Sequence, residues 1–181
     1  ALPEIINKLC GQILRKNEKV GIVFNGMTGY AGKDVAANLD KIIQKERKIA
    51  NKMVKLIQHP VHLHTACGST LAEKIALGSL CDFVIAPLGS ASMVPSLLLD
   101  KPGIVYAFDS DERATFAGPE TIILNSKYIS ERKDLTAAVK FDMANQSYSF
   151  DWKNLYKQMN SNFRFERGKS NQVIVTRKKS K

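Results

Sequence analysis

Short, continuously apolar segments alternate with longer amphipathic segments along most of this chain, and this alternation is what most limits its fold. The first apolar segment, residues 19–24, ends in Val-Gly-Ile-Val-Phe and shows no polar alternation. Continuous apolar strands of this kind belong to parallel sheets that are buried on both faces. Parallel strands need crossover connections, which are right-handed and usually helical. The sequence therefore predicts an α/β protein, Rossmann-like, with a mostly parallel sheet and helices on both faces.

The apolar periodicity divides the chain into elements with short connections. Spacings of three and four residues predict helices at residues 2–15, 34–52, 69–79, 92–99, 135–145 and 151–160. Compact apolar runs predict strands at residues 19–24, 54–58, 82–86, 103–108 and 121–124. Residues 59–65 fit either a strand or a loop. Before the third helix, Ser69 or Thr70 is the expected N-cap, with Glu73 as its capping-box partner.

One domain is expected, at residues 1–163, because a chain of 181 residues buries one substantial core but hardly two. From residue 164 onward the composition turns basic and polar. We expect 164–181 to be a tail that is disordered or adds a short edge strand at 173–175. No apolar run approaches the roughly 18 residues of a membrane span, and we expect no signal peptide. Residue 1 is Ala, so the chain can be an excerpt of a longer protein.

The formal net charge is +10, concentrated in residues 41–55 and 164–181. This charge suits nucleic acid, anionic lipid headgroups or phosphorylated substrates and does not choose among them. Aromatic residues are not interleaved with the basic ones, which argues against a nucleic-acid partner. Cys10, Cys67 and Cys81 have no C-x-x-C spacing, which indicates a reducing compartment and hence a cytoplasmic protein. The second helix has a basic face that is expected to be solvated or to lie on the inner face of a membrane: Lys41, Lys45, Arg47, Lys48 and Lys52.

The first strand is followed by a glycine-rich turn, N-G-M-T-G-Y-A-G, at residues 25–32. It does not fit a Walker A loop, because five residues separate Gly26 from Gly32 and Asp34 stands where a Mg²⁺-binding Ser or Thr is required. A G-x-x-G-x-x-G turn occurs in some nicotinamide-dependent reductases, and residues 28–32 resemble the start of N-acetyl-glutamyl-phosphate reductases. No acidic residue closes the second strand to hold a ribose. Phosphate contact and a purely conformational use of the glycines therefore both stay open, and the candidate contacts are Gly26, Thr28 and Gly29.

A second turn of small residues follows the strand at 82–86. A capped helix precedes that strand, the turn opens a short helix, and Lys101-Pro102 leads into the next strand. Unsatisfied N–H groups and the helix dipole favour an anion at a helix N-terminus. Ligands of parallel sheets also collect at the carboxyl ends of the strands, where both turns are expected to lie. We therefore expect a diphosphate over this second turn, at Gly89, Ser90, Ala91, Ser92 and Met93.

The succession of elements from Thr70 to Tyr106 resembles the donor-binding half of GT-B glycosyltransferases, most closely the heptosyltransferase-like enzymes of lipopolysaccharide synthesis. In that family a helix precedes a strand, a small-residue turn with a Met follows, and Lys-Pro introduces the next strand. The resemblance implies a nucleotide-diphosphate sugar bound over the second turn. The family pattern has an Asp and a Gly before the Met and a His after it, where this chain has Gly89, Ala91 and Val94. These departures leave the sugar and the nucleotide open.

Three residues outside the two turns are further site candidates. His59, just after the strand expected at 54–58, is a candidate phosphate contact or general base. Asp109 and Glu120 are candidate contacts of ribose or sugar hydroxyls, as implied by the resemblance. Each also fits a solvated loop or a local hydrogen bond. No metal is expected, because a third ligand and a second shell are not evident beside the clustered histidines His62 and His64.

Together these features predict the nucleotide-sugar-binding domain of a GT-B-type glycosyltransferase, which transfers a sugar to a cell-surface glycan or glycolipid acceptor. The nucleotide sugar is the donor substrate, and no cofactor is expected. The catalytic base would come from a second, acceptor domain for which this chain has no room, so no catalytic residue is named and the chain is part of an enzyme or a nucleotide binder. Two alternatives stay open: an NAD(P)-binding reductase domain, and a non-catalytic basic module for nucleic acid or anionic membrane.

Overall fold

The computed structural model describes residues 2–15, 17–26, 36–87, 90–106, 117–124, 129–131, 148–168 and 173–178. Its helices are α1 Leu2–Ile13, α2 Ala36–Val54, α3 Leu71–Ser79, the single turn α4 Ser90–Ser92 continued by a π-helical segment Met93–Leu98, and α5 Trp152–Asn162. Its strands are β1 Val20–Phe24, β2 Val61–Thr65, β3 Val84–Pro87, β4 Gly103–Tyr106, β5 Thr121–Leu124, β6 Ile129–Glu131, β7 Tyr148–Phe150, β8 Phe163–Arg167 and β9 Val173–Arg177. None of the described helices is long and apolar enough to cross a membrane.

The first five strands pair in parallel. β1 pairs with β2 in register Val20 to Val61, and β3, β4 and β5 form a three-stranded sheet in which β4 is central. The later strands form two antiparallel pairs, β6 with β7 and β8 with β9. The predicted α/β class and the parallel pairing are therefore confirmed. β5 has the predicted bounds, and the helix expected at 135–145 lies outside the described residues.

The larger apolar core lies on one face of the β3–β4–β5 sheet. Ile104 from the central strand is fully buried there, against Ile5 of α1 and Met159 of α5. Val105 points to the opposite face, where Ile123 and Ala117 contact it. This alternation follows from the period of two along a strand, and it explains why β4 is apolar at successive positions.

A second, smaller core lies between α2 and the β1–β2 pair. Leu39 and Ile43 of α2 pack there with Cys67 and with Phe24 of β1. The outer face of β2 carries His62 and His64, which are exposed and have ring centroids 4.6 Å apart. β2 is therefore half-exposed, and its polar alternation is the reason its sequence fits both a strand and a loop.

The prediction of a strand at residues 54–58 is wrong. Val54 ends α2, and the residues after it form turns. The side chain of Asn7 holds this segment: its Nδ2 donates to the Leu56 carbonyl over 3.1 Å, and its Oδ1 accepts from the Gln58 N–H over 2.7 Å. These backbone groups thus bond to α1 and not to a neighbouring strand. The strand of this region is β2, which begins at Val61.

An antiparallel hairpin, β8 and β9, occupies much of the segment that we expected to be a basic tail. Phe165 and Val175 face each other across the two strands and pack against the larger core. Phe163, at the start of β8, is almost fully buried and makes an edge-to-face contact with Phe83. In β8 the exposed Arg164 and Glu166 alternate with these apolar residues. The domain boundary expected after residue 163 therefore falls within β8, and the edge strand suggested at 173–175 is the longer β9.

Candidate functional site

The carboxyl ends of β1 and β3 are joined by one side chain. Asn25 directly follows β1, and its Nδ2 donates to the carbonyl of Ala91 over 3.1 Å. Ala91 lies in α4, just beyond β3. Because Asn25 follows β1 and Ala91 follows β3, this hydrogen bond connects the β1–β2 pair to the β3–β4–β5 sheet. In parallel α/β sheets, ligands bind outside the carboxyl ends of the strands.

The Ala91 carbonyl is open to Asn25 because of the residue four positions later. In an α-helix the N–H of residue 95 would donate to this carbonyl, but residue 95 is proline and has no N–H. The helix continues as a π-helical segment, in which the Leu99 N–H reaches the Val94 carbonyl over 3.1 Å. π-Helical turns of this kind are frequent at functional sites. The apolar spacing predicts the short helix, whereas the π-helical hydrogen bonding around Pro95 is seen only in the structure.

Asn25 also has a buried oxygen. Because its Nδ2 faces a carbonyl, its Oδ1 must point the other way. This oxygen is buried and accepts no hydrogen bond from the part of the chain that the structure describes. An unsatisfied buried acceptor costs about 1–3 kcal/mol, and such groups in native structures call for an explanation. Asn25 is therefore a candidate site residue that the sequence analysis missed, although its place directly after an apolar strand was a usable signal.

The second turn is described from Ser90 onward. Ala91 and Met93 are half-buried, whereas Ser92 is fully buried. The hydroxyl of Ser92 therefore lies inside the protein, so a ligand on the surface of this turn would meet backbone groups and not this side chain. Gly89, directly before the turn, lies outside the described residues. The segment is thus open at Ala91 and Met93 and closed at Ser92.

Gly26 takes part in a buried polar cluster. The Lys74 ammonium, from α3, donates to the Gly26 carbonyl, and Arg47 Nη2 donates to the Cys67 carbonyl over 3.2 Å. A Cβ at Gly26 would come within 2.6 Å of Cys67 Sγ and would also collide with the Glu46 carboxylate. Close packing against these two side chains is thus one reason for a glycine at this position, and the predicted phosphate contact of Gly26 stays a prediction. The burial of Lys74 was not predicted from the sequence.

Burial controls the protonation of this cluster. Desolvation lowers the pKa of Lys74, and the neighbouring Glu46 partly opposes the change. Desolvation, together with Glu46, raises the pKa of Cys67 to about 11. A thiol with such a pKa stays protonated at neutral pH, and only the thiolate is a good nucleophile or metal ligand. Cys67 is therefore a packing residue.

Two of the candidates outside the turns, His59 and Glu120, lie at the edge of their sheets that is opposite Asn25. His59 precedes β2, and its neighbour Pro60 accepts a hydrogen bond from Val20 at the start of β1. Glu120 precedes β5, where its N–H donates to Asp100 Oδ1 over 3.3 Å. Both residues are at the amino ends of parallel strands, a strand length away from the junction at Asn25. This placement does not favour the expected contact of His59 and Glu120 with the donor, which stays a prediction; for His59 it was based on the strand expected at 54–58.

The Lys-Pro pair that carries part of the family resemblance has a structural use here. Lys101 Nζ donates to the Ser79 carbonyl at the end of α3 over 2.7 Å. A cation at a helix C-terminus is stabilised by the unpaired carbonyls and the dipole. Lys101 lies at the amino edge of the sheet, away from the junction, so it supports the arrangement of α3 and β4.

Several candidates cannot be placed. Thr28, Gly29 and Asp109, like Gly89, lie outside the described residues. Among the residues that are described, no group of three or more His, Cys, Asp or Glu side chains is arranged to hold a metal ion.

Comparison with known proteins does not indicate a function for this chain. No protein-family model matches the chain, and searches of curated proteins and of solved structures gave no significant match.

Proposed function

We propose that this chain is the donor-binding domain of a GT-B-type glycosyltransferase, and that the nucleotide-diphosphate sugar binds at the junction of β1 and β3. The observation that carries this proposal is the hydrogen bond from Asn25 to the Ala91 carbonyl. It brings the turn after β3 to the end of β1, which is where nucleotide ligands bind in doubly wound sheets. The resemblance of residues 70–106 to the family's donor-binding half points to the same turn.

The packing on the β3–β4–β5 sheet supports the Rossmann-like arrangement that this proposal needs. On one face, α1 and α5 contribute Ile5 and Met159 to the core around Ile104. Toward the other, the Ser96 and Thr121 hydroxyls are 2.6 Å apart and fully or largely buried, which ties the π-helical segment to β5. A parallel sheet with helices on both faces would have these two sets of contacts.

The proposed role of the domain is to hold the leaving group. In glycosyl transfer the acceptor hydroxyl attacks the anomeric carbon, and the bond from that carbon to the diphosphate oxygen breaks. Negative charge then grows on the nucleoside diphosphate. Backbone N–H groups at the start of α4 would stabilise this charge, as oriented dipoles do in other active sites. The buried Oδ1 of Asn25, which accepts no hydrogen bond from the described residues, would accept one from a hydroxyl of the nucleotide sugar once binding exposes it.

A direct test is thermal stabilisation by UDP-, GDP-, ADP- and CMP-linked sugars. A ligand at about 100 times its Kd stabilises the folded state by about 2.7 kcal/mol, and this corresponds to a rise in Tm of roughly 5–10 °C for a domain of this size. Ala91→Asp would place a carboxylate beside the diphosphate, so we expect it to weaken binding at least about tenfold by like-charge repulsion. Ala76→Asp, on the exposed side of α3, is the matched control.

Three outcomes would contradict the proposal. One is the absence of stabilisation by every nucleotide sugar of the panel. Another is equal weakening by Ala91→Asp and Ala76→Asp, since the ligand would then bind elsewhere. Stabilisation by NADPH alone would favour the reductase alternative.

A further inference from the structure

Helix α2 has an exposed apolar stripe that the core does not use. Ile42 and Ile49 are 42% and 49% exposed, and Leu56, in the turn after the helix, is 65% exposed. They follow one another at intervals of seven residues. Because seven residues are close to two helical turns, Ile42 and Ile49 lie along the same side of the helix, and Leu56 lies just beyond the end of α2.

This stripe is distinct from the face of α2 that packs against β1 and β2. That inner face carries Leu39, Ile43 and Ala50, which are 9%, 9% and 0% exposed. At about 100° per residue, the stripe and the inner face are adjacent but separate. α2 therefore has two apolar faces, of which the core accounts for one.

Lysines border the stripe on the side away from the core. Lys45 and Lys52 each follow an isoleucine of the stripe by three residues, the spacing of neighbours on a helix surface. Lys41 and Lys48 lie one residue before the same isoleucines. Together with Lys55 in the following turn, these lysines are exposed. We call the surface formed by the stripe and these five lysines the α2 surface.

We propose that the α2 surface binds peripherally to an anionic bilayer, with the aliphatic side chains at the headgroup boundary and the lysines on the lipid phosphates. A helix with aliphatic residues beside a lysine-rich face suits the membrane interface. Lysine side chains are also long enough for the ammonium group to reach the lipid headgroups when the helix lies deeper in the interface. This surface does not depend on the proposed glycosyltransferase function and would remain if no nucleotide sugar bound.

The chemistry of the surface favours lipid over two other partners. Nucleic acid would use the lysines, but its single-strand sites use aromatic side chains on which bases stack, and the stripe is aliphatic. A second copy of the chain would cover the stripe in a two-fold interface. That arrangement would bring the lysine-rich sides of two copies together, with Asp40 as the exposed carboxylate of α2 to offset the five lysines.

The test is co-sedimentation of the protein with vesicles of phosphatidylcholine alone and of phosphatidylcholine with phosphatidylglycerol. We expect binding to the anionic vesicles only, weakening with added salt. Lys45→Glu/Lys52→Glu should weaken binding by at least about 25-fold, since each lysine near an anionic surface is worth about fivefold. Lys153→Glu/Lys157→Glu makes the same change of charge on exposed residues of α5 and should weaken binding much less.

The stripe is tested separately. Ile42→Ser/Ile49→Ser should weaken vesicle binding at least about tenfold, because burial of each aliphatic side chain at the interface is lost. Leu80→Ser is the control, since Leu80 is 78% exposed at the end of α3. The circular dichroism of all variants should match the parent, and the Tm of the lysine variants should too; Ile42→Ser/Ile49→Ser is expected to lower the Tm by a few degrees, because about half of each isoleucine side chain is buried.

Each alternative has its own signature. Binding that does not depend on anionic lipid, or that the control variants weaken as much, would overturn the proposal, and so would the absence of vesicle binding. The surface would be assigned to nucleic acid if the protein bound single-stranded RNA or DNA but not vesicles, and if only Lys45→Glu/Lys52→Glu abolished that binding. A dimer in light scattering that Ile42→Ser/Ile49→Ser dissociates would assign it to self-association.

Discussion

Glycines in and beside the strands of this protein differ in how closely other atoms approach them. Gly103 begins β4 opposite Val84 of β3, and a Cβ there would lie 2.5 Å from the Val84 carbonyl oxygen. Gly26 has an equally crowded position against Cys67. By contrast, a Cβ at Gly21, on the exposed face of β1, would meet nothing within 4 Å. Close packing thus favours glycine at positions 103 and 26 but not at position 21.

We expect Gly103→Ala to destabilise the protein by about 1–3 kcal/mol, because the added methyl group collides with backbone that cannot move without disturbing the β3–β4 pairing. Gly21→Ala is the matched control in a strand and should be neutral or stabilise by about 0.5–1 kcal/mol, since alanine loses less conformational freedom on folding. Urea unfolding measures both. Equal effects of the two substitutions would show that β3 and β4 are not as close as described.

At the scale of elements, α3 is the helix whose start is best defined by its local sequence. The Thr70 hydroxyl accepts from the Glu73 N–H over 3.3 Å, and the Glu73 carboxylate accepts from the Thr70 N–H over 2.7 Å. This reciprocal pair is a capping box, and it confirms the expected partner Glu73 and chooses Thr70 over Ser69. The carboxylate also gains from its place at the positive end of the helix, and the two hydrogen bonds from Thr70 lower the pKa of Glu73.

Thr70→Ala should lower the free energy of unfolding by about 1 kcal/mol, because an N–H at the start of α3 loses its acceptor. Thr70→Ser keeps the hydroxyl and should lose much less. The two variants are compared by urea unfolding at neutral pH. A loss in Thr70→Ser as large as that in Thr70→Ala would mean that the methyl group, and not the cap, is what stabilises the helix.

At the scale of the whole molecule, the hairpin near the end of the described chain is fastened to its first helix. Arg167 of β8 donates to the Glu18 carboxylate, with Nη1 at 2.8 Å from Oε2, and also to the Ile13 carbonyl at 3.3 Å. The Arg15 N–H donates to the same carboxylate over 2.8 Å. These hydrogen bonds lower the pKa of Glu18 from 4.5 to about 2. The ionised carboxylate is therefore the form that the folded protein favours.

This shift makes part of the stability depend on pH. The folded pKa of Glu18 lies below the unfolded value, so its contribution is complete above about pH 4.5 and is lost as the pH falls toward 2. Glu18→Gln should therefore be less stable than the parent at neutral pH, and the difference should shrink on acidification. The measurement is urea unfolding of both proteins at a series of pH values.

Glu166→Gln is the matched control for this effect. Glu166 pairs with Arg164 on the surface of the hairpin at 3.5 Å, with both side chains more than half exposed. Exposed pairs of this kind contribute little. A loss in Glu166→Gln that equals the loss in Glu18→Gln, or a Glu18→Gln difference that does not change with pH, would contradict the role given to the Glu18–Arg167 contact.

What the sequence by itself determined is local. The apolar runs and helical spacings predict most strands and helices within a few residues, and the box at Thr70 and Glu73 predicts the start of α3. These features depend on residues near one another in the chain, whose preferences act in any context. The α/β class follows from their alternation.

Only the tertiary structure decided which of these residues meet. The side chain of Asn7, in α1, bonds to the backbone after Val54, and this segment forms turns instead of a strand. Phe165 and Val175 pack against the larger core, and the segment of basic composition that contains them forms a hairpin. His59 and Glu120 precede their strands and therefore lie at the far edge from Asn25 and Ala91. Long-range contacts set all of these outcomes, because burial and hydrogen bonding between distant segments outweigh local preference wherever the two compete.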